Sequence, residues 1–519
     1  MTVYLEGFVC VSDFEMPPFI QPETLYHLCL SCVSHVVGRC CDNIQQIYGN
    51  YDRAECRAAV QSLQNYLLSN IPSVLMDELA EDRKLSADAR VKLALYMHPA
   101  MRKFSAAITW ECRFVLDEFW LTHLAALHKL VVLNLYLACT DEILKVVSEN
   151  CPLLEDINIV SKVENCRNNT AGNFNALRLK LFVSDVGLGY LLKCQKLKRI
   201  TTNKMLRSHC GGRMMTHDGL RTLVRGLPNL ESLRYEDLGS VIASGMSDID
   251  QLALTNLCDN HPCQKNIEEA ARLCPRLSHL CLCIPYGEES PMNLNSHRLS
   301  EEVVTTLAES SIFPSILEIQ HFYYSDAVSN LLQVKGSSLT SLFLHTVNNI
   351  GVAELFLIGN VCSNLENLHI KGLGSKFVKD TANKWLASVS LGQPLYKNLK
   401  CLYLSGKKWR PSLILDLFMA TARGLTSLSV WNSMLSYGVP STLDDFVQGH
   451  EFPQLQSANF CPGCSLSIEA LRSFVHKCPK LKHLMLFEHE GLTSQDIQEL
   501  QKEADSKNLN FKITLQGIS

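Results

Sequence analysis

"CPKLKHLML", residues 478–486, decides the fold. Leu481, Leu484 and Leu486 are spaced by three and then two residues. On a strand, residues two apart share a face, so Leu484 and Leu486 point one way while His483 and Met485 point the other. The preceding stretch, "SIEALRSFVHK" at 467–477, has its apolar residues at helical spacing. Cys-Pro lies between them. Proline does not continue the helix, and a thiol is small enough to pack at a helix-to-strand corner. The unit reads as helix, corner, strand.

The same unit recurs upstream as "HKLVVLNL" at 128, "CPLLEDINI" at 151, "CQKLKRITT" at 194 and "LPNLESLRY" at 227. It returns as "CPRLSHLCL" at 274, "FPSILEIQ" at 313, "GSSLTSLFL" at 336 and "CSNLENLHI" at 362. "YKNLKCLYL" at 396, "ARGLTSLSV" at 422 and "FPQLQSANF" at 452 follow, and "NLNFKITL" at 508 is a weak last copy. From Leu339 to Leu481 the leading leucines are 26, 34, 26, 30 and 26 residues apart, near the leucine-rich-repeat length. One such unit cannot bury its apolar face alone. Stacked units place their strands in a parallel sheet on the concave side of a solenoid. The expected fold is therefore α/β, a leucine-rich-repeat solenoid of about 12–13 repeats over 120–519. "NCRNNTAGNFNA" (165–176) and "IPYGEESPMNLNSHRLS" (284–300) read as inserted loops. Residues 1–119 lack the strand motif and read as helices near 22–38, 51–69, 71–80 and 86–98.

Composition narrows the function classes. The chain has 519 residues, 47% hydrophobic and 19% charged, which suits a packed chain and not a disordered one. A net charge of −4 gives no electrostatic reason to expect nucleic acid or an acidic membrane as partner. "MTVYLEGFVCVSDFEMPPF" has no basic region leading into an apolar core, and no run of eighteen apolar residues occurs. A cytoplasmic or nuclear location is expected. The 22 cysteines are then reduced, and most act as small hydrophobes. The sequon at Asn168 would be idle there.

Catalytic signatures are missing from the sequence: no phosphate-binding Gly-x-x-x-x-Gly-Lys loop, no Gly-x-Ser-x-Gly elbow, no His-Glu-x-x-His helix and no RING-type Cys/His array. "CPGC" at 461–464 reads as buried turn cysteines, and "SGKKWRPS" at 405–412 as a solvated basic loop. "CLC" at 281–283 is expected to send Cys281 and Cys283 to opposite sheet faces. No catalysis, cofactor or metal is expected.

"TLYHLCLSCVSHVV" at 24–37 has two cysteines and two histidines in fourteen residues. Placed on a helix, Leu25, Cys29 and Val33 share one face, and Leu28, Cys32 and Val36 widen it. Zinc is disfavoured, because a structural site draws four ligands, usually from two chain segments, and these thiols lie along one helix. Two readings remain: a capping helix for the solenoid, or a helix that seats its anchors in a partner's groove. Thr24, Leu25, Cys29 and Val33 resemble the BC box, by which cullin-2 substrate receptors bind Elongin C. Ile71, Pro72, Leu75 and Leu79 in "IPSVLMDEL" resemble the cullin-2 box that follows it. The order of BC box, cullin-2 box and leucine-rich repeats resembles the Zyg/Zer family of ubiquitin-ligase receptors. Here the stretch "YDRAECRAAVQSLQNYLL" widens the gap between the boxes. No armadillo-type pattern follows the repeats, so that family's degron recognition is not carried over.

The resemblance implies a non-catalytic receptor that binds Elongin B/C and cullin-2 and presents a protein substrate. "IPSVLMDELAEDRKLS" also resembles the start of an F-box, which would imply Skp and cullin-1 instead. A plain leucine-rich interaction scaffold is the third reading, and it expects Leu25 and Cys29 buried against the first repeat. For the substrate, the outward strand positions of the later repeats are richest in aromatic and soft residues: Phe343, His369, Tyr403, His483 and Met485.

Overall fold

The structure is a computed structural model. It describes residues 22–81, 89–105, 117–135, 139–160, 183–202, 215–246, 248–284, 298–374, 384–385, 387, 395–406, 409, 411–432, 441–460, 464–487, 492–506 and 511–516. The chain forms two compact units, Met1–Asn229 and Leu230–Ser519.

The first unit opens with four helices: α1 (Pro22–Tyr48), α2 (Ala54–Asn70), α3 (Ser73–Glu81) and α4 (Ala89–Tyr96). Helix α1 runs ten residues beyond the expected end. The stretch that separates the two box-like motifs becomes α2, which buries Cys56, Val60 and Leu67. Gln64 on α2 is also buried, and its Nε2 donates to the carbonyls of Ala94, Leu95 and Met97 at 2.7–3.2 Å. It thus satisfies carbonyls left open where α4 ends. Val37 and Cys41 of α1, Met76 and Leu79 of α3, and Leu93 and Leu95 of α4 complete this core.

Strand β1 (Lys103–Ser105), α5 (Asp117–Leu124), β2 (Val132–Asn134), α6 (Asp141–Asn150), β3 (Asp156–Asn158), α7 (Asp185–Leu191), β4 (Arg199–Thr201) and α8 (His217–Gly226) follow. The strands pair in parallel and in chain order, with Phe104, Leu133, Ile157 and Ile200 aligned in one buried row. The sheet therefore starts at Lys103, ahead of the expected 119/120 boundary. With one apolar residue in three, β1 is too short to register as a periodic pattern.

Short polar residues link successive helix starts. The Ser184 side chain accepts from the Val186 N–H and the Thr216 side chain from the Gly219 N–H. Asp141 accepts from the Ser184 N–H (2.8 Å) and hydroxyl (2.6 Å), and Asp185 accepts from the Thr216 N–H (2.8 Å) and hydroxyl (2.7 Å). Each aspartate so places the N-cap of the next helix.

In the second unit, eleven strands pair in parallel and in chain order among the described residues. They are β5 (Ser232–Arg234), β6 (Asn256–Asp259), β7 (His279–Leu282), β8 (Ile316–Phe322), β9 (Ser341–Ile350), β10 (Asn367–Leu373), β11 (Cys401–Gly406), β12 (Ser427–Asn432), β14 (Ser457–Phe460), β16 (His483–Phe487) and β17 (Lys512–Gln516). Two short strands, β13 (Ser441–Thr442) and β15 (Cys464–Ser465), pair apart from them. Helices alternate with the strands: α9 (Leu238–Ala243), α10 (Gln264–Leu273), α11 (Glu301–Glu309), α12 (Asp326–Lys335), α13 (Val352–Val361), α14 (Pro411–Met419), α15 (Asp444–Gly449), α16 (Ile468–Lys477) and α17 (Ser494–Ser506). This is the leucine-rich-repeat arrangement that the motif implies. Burial alternates along the strands, so every second residue faces the helices and the others form an open face.

The corner cysteines behave as their spacing implies. Cys151, Cys274, Cys362 and Cys478 are buried and cap α6, α10, α13 and α16 with similar backbone angles. Their carbonyls accept from the N–H of Leu154, Leu277, Leu365 and Leu481, which turns the chain into the strand. Burial pushes the thiols of Cys151, Cys274 and Cys362 up to about 12, so they are unreactive near neutral pH.

Some expectations fail or fall outside the description. Cys281 and Cys283 are both half-buried, on either side of buried Leu282. They share the open face, as residues two apart on a strand must. Trp409 of the basic loop is buried, while Lys407, Lys408 and Arg410 lie outside the described residues. Of "CPGC", only Cys464 is described, and it is buried. The two inserted-loop stretches lie wholly or mostly outside the described residues. Among the described residues, no helix is long and apolar enough to cross a membrane.

Candidate functional site

The first unit presents an apolar helix face to solvent. Leu25, Leu28, Val33 and Val36 of α1 are 40%, 49%, 37% and 50% exposed, and Cys29 and Cys32 are exposed between them. Burial on α1 begins at Val37 and Cys41. A run of apolar residues at i, i+3 and i+4 spacing turned outward is unusual for a packed chain and marks an interaction surface. The anchors of the BC-box-like motif lie on this stripe. The side chain of Thr24 lies outside the described residues, and the backbone there is already in α1. Among the described residues, no group of three or more His, Cys, Asp or Glu is placed to hold a metal.

The second motif divides. Ile71 ends α2, donating its N–H to the Leu67 carbonyl at 2.7 Å. Pro72 is exposed, and its carbonyl accepts from Leu75 and Met76 as α3 begins. Val74 is 66% exposed and Leu75 half-buried, but Leu79 is only 1% exposed. Leu79 thus belongs to the helical core and is not available as a contact. A hydrogen bond from the Tyr26 hydroxyl to Glu78 ties α1 to α3. Between them lies an open cleft of 1030 Å³, lined by Leu30 and Ser31 of α1, Val74 and Asp77 of α3, and Arg102 and Lys103 at the sheet edge.

The second unit presents a row of rings on its open face. The registers align Glu318, Phe343, His369, Tyr403, Ser429, Asn459 and Met485 across neighbouring strands. Phe343 lies 5.7 Å from His369, and His369 stacks on Tyr403 at 3.7 Å between ring centroids. Tyr403 stacks at 6.3 Å on Trp431, which meets Phe487 edge-on at 5.3 Å. These rings are half-buried by one another. Met485 is half-buried beside the row, and His483 is exposed, one register row away. The sequence positions considered stopped four residues past each leading leucine. Trp431, Phe487 and His345 stand six past theirs, and extending the window by one alternation would have found them.

Beside the rings is a basic cluster. The next row aligns Gln320, His345, Lys371, Ser405 and Trp431. Bulges break the register at Gln320/Phe322 in β8 and at Lys371/Leu373 in β10. The bulge residues His321 (φ 57) and Gly372 (φ 107) are left-handed, a costly conformation for a non-glycine residue that is found mostly where a site requires it. His321 is buried with its ring 4.7 Å from His345. Burial, with neighbouring histidines and Lys371 adding to it, holds His345 and His369 down to about 4, and His321 is lowered by burial and Lys371. At neutral pH the imidazoles of His345 and His369 are therefore uncharged. Lys371 supplies the positive charge, with no salt-bridging carboxylate among the described residues.

No protein-family model matches the chain, and no curated protein matches it. Among solved structures it is similar to the crystal structure of the Rad7 and Elc1 complex in yeast, with 12% identity, a TM-score of 0.42, and coverage of 91% of this chain and 95% of that one. A likeness at that level assigns neither an activity nor a partner.

Proposed function

We propose that the chain is a non-catalytic substrate receptor of a cullin-RING ubiquitin ligase. Helix α1 docks Elongin C, with Leu25, Cys29 and Val33 as anchors and Thr24 ahead of them. Ile71, Pro72 and Leu75, with Val74 beside them, contact cullin-2, and Leu79 supports them from the core. The open face of the second unit presents a protein substrate. The observation that carries this reading is the exposed apolar stripe of α1. A helix that merely capped the repeats would turn these side chains inward. Seating them in a groove removes from water the half or less of each side chain that is still exposed, contributing roughly 0.5–1.5 kcal/mol per long apolar side chain.

The test is capture of purified full-length chain by Elongin B/C–cullin-2 and, in parallel, by Skp–cullin-1. The parent is expected to be retained by Elongin B/C, and the Leu25→Ala, Cys29→Phe double variant to be lost from it with unchanged circular dichroism. Retention by Skp instead would move the receptor to cullin-1. Retention by neither would leave a leucine-rich scaffold.

A further inference from the structure

The open face of the second unit sets Lys371 and neighbouring imidazoles beside an aromatic row. Lys371 and Trp431 occupy one register row, separated by Ser405 alone. Ser405 is a small side chain between the lysine and the indole, and the stacked His369 and Tyr403 lie one row away. The bulge at His321 brings its ring to His345, and Lys371 faces His345 in regular register, so this end of the row is built by the backbone as well as by side-chain choice. Glu318, the nearest acid in these rows, is roughly 12 Å from Lys371 by strand spacing and rise, and it accepts a hydrogen bond from Gln320. An ammonium with no salt-bridging carboxylate among the described residues, beside the uncharged imidazole of His345, suits an anion. Rings and Met485 beside it suit an apolar side chain.

We propose that this face binds an extended acidic peptide. Its carboxylate sits on Lys371, between His345 and Ser405, and an aromatic or large apolar side chain packs on Tyr403 and Trp431. The separation sets the spacing. Two strand intervals are about 10 Å, and a peptide in the extended polyproline II conformation advances about 3.1 Å per residue with three residues per turn, so residues three apart face the same way about 9 Å apart. The acid and the apolar residue are therefore three positions apart, acid-x-x-aromatic. This specifies the substrate class for the receptor reading and rests on it, but adaptor docking by α1 uses other residues, so the two can fail separately.

The experiment is a peptide array probed with the full-length chain. Each peptide holds one glutamate and one tryptophan in a Gly/Ser background, one to six positions apart. Signal is expected to peak at Glu-x-x-Trp, and to fall about tenfold when glutamine replaces the glutamate, as loss of a charged hydrogen bond implies. Lys371→Gln and Trp431→Ala chains are expected to lose the peak. If either variant misfolds, the Glu/Gln comparison on the parent still decides. Equal capture of the two, a flat spacing profile, capture of phosphoserine peptides only, or no capture would each overturn the proposal. Adaptor capture on the same preparations separates the outcomes: adaptor bound without peptide sinks this inference alone, and peptide bound without adaptor sinks the receptor reading alone.

Discussion

At position 259 the repeat asks for a leucine and the chain supplies an aspartate. Asp259 is fully buried, with its carboxylate accepting from Asn266 Nδ2 at 2.7 Å and from the His261 N–H at 3.0 Å. Burial outweighs those two bonds and pushes its pKa up to about 6 from 3.8. The fold thus prefers the protonated acid. Its contribution to stability is greatest below about pH 4 and is lost as pH rises through about 6. Two pK units correspond to about 3 kcal/mol. Asp259→Asn is expected to remove this slope. The parent-minus-variant difference in urea-unfolding free energy, followed from pH 4 to pH 7, checks it, and a difference that stays constant across that range refutes it.

For elements, the informative contrast lies between helices α1 and α3. Leu25 is exposed on α1 and Leu79 buried on α3, although both sit in motifs with the same i, i+4 anchor logic. Leu79→Ala is expected to cost roughly 2–5 kcal/mol, as core truncations do, and Leu25→Ala less than about 0.5 kcal/mol. Thermal melts of the two variants measure this, and equal losses would mean that α1 is packed like α3. A second element-scale prediction concerns the chain of helix starts. A methyl group at Gly219 would overlap Asp185 Oδ1, which holds the N-cap Thr216. Gly219→Ala is expected to destabilise by about 1–2 kcal/mol through the displaced cap, despite alanine's better helix propensity. A stabilised variant in the same melt would show that the aspartate moves without cost.

For the whole molecule, the thiols report on packing and docking together. Cys29 and Cys32 in the first unit and Cys263 in the second are exposed, while the corner cysteines Cys151, Cys274, Cys362 and Cys478 are buried. A brief iodoacetamide pulse read by mass spectrometry is expected to label the first three, and the corner cysteines only after denaturation. With Elongin B/C present, Cys29 and Cys32 are expected to be protected and Cys263 to stay reactive. Unchanged labelling of Cys29 in a saturated complex would place the adaptor elsewhere.

The repeat periodicity by itself determined the fold class and located all but two of the strands that pair in chain order within the two units, because alternating leucines and a helical preceding stretch have one compact arrangement. The strands it did not reveal have physical reasons: β1 is three residues long, and β6 carries Asp259 in a leucine's place. The outward sequence positions supplied Phe343, His369 and Tyr403 of the aromatic row, because side-chain alternation is a local property of a strand. Tertiary structure alone decided the rest. Val37 and Cys41 continue the i+4 series of Leu25, Cys29 and Val33, so periodicity does not say where along α1 burial begins. Only packing shows that Val37 and Cys41 are buried and the Leu25–Val36 stripe meets solvent. Packing likewise assigns Leu79 to the core. The gathering of His321, His345 and His369 near Lys371 depends on the bulge at His321 and on strands up to fifty residues apart, and cross-strand register is not written in any single stretch of sequence.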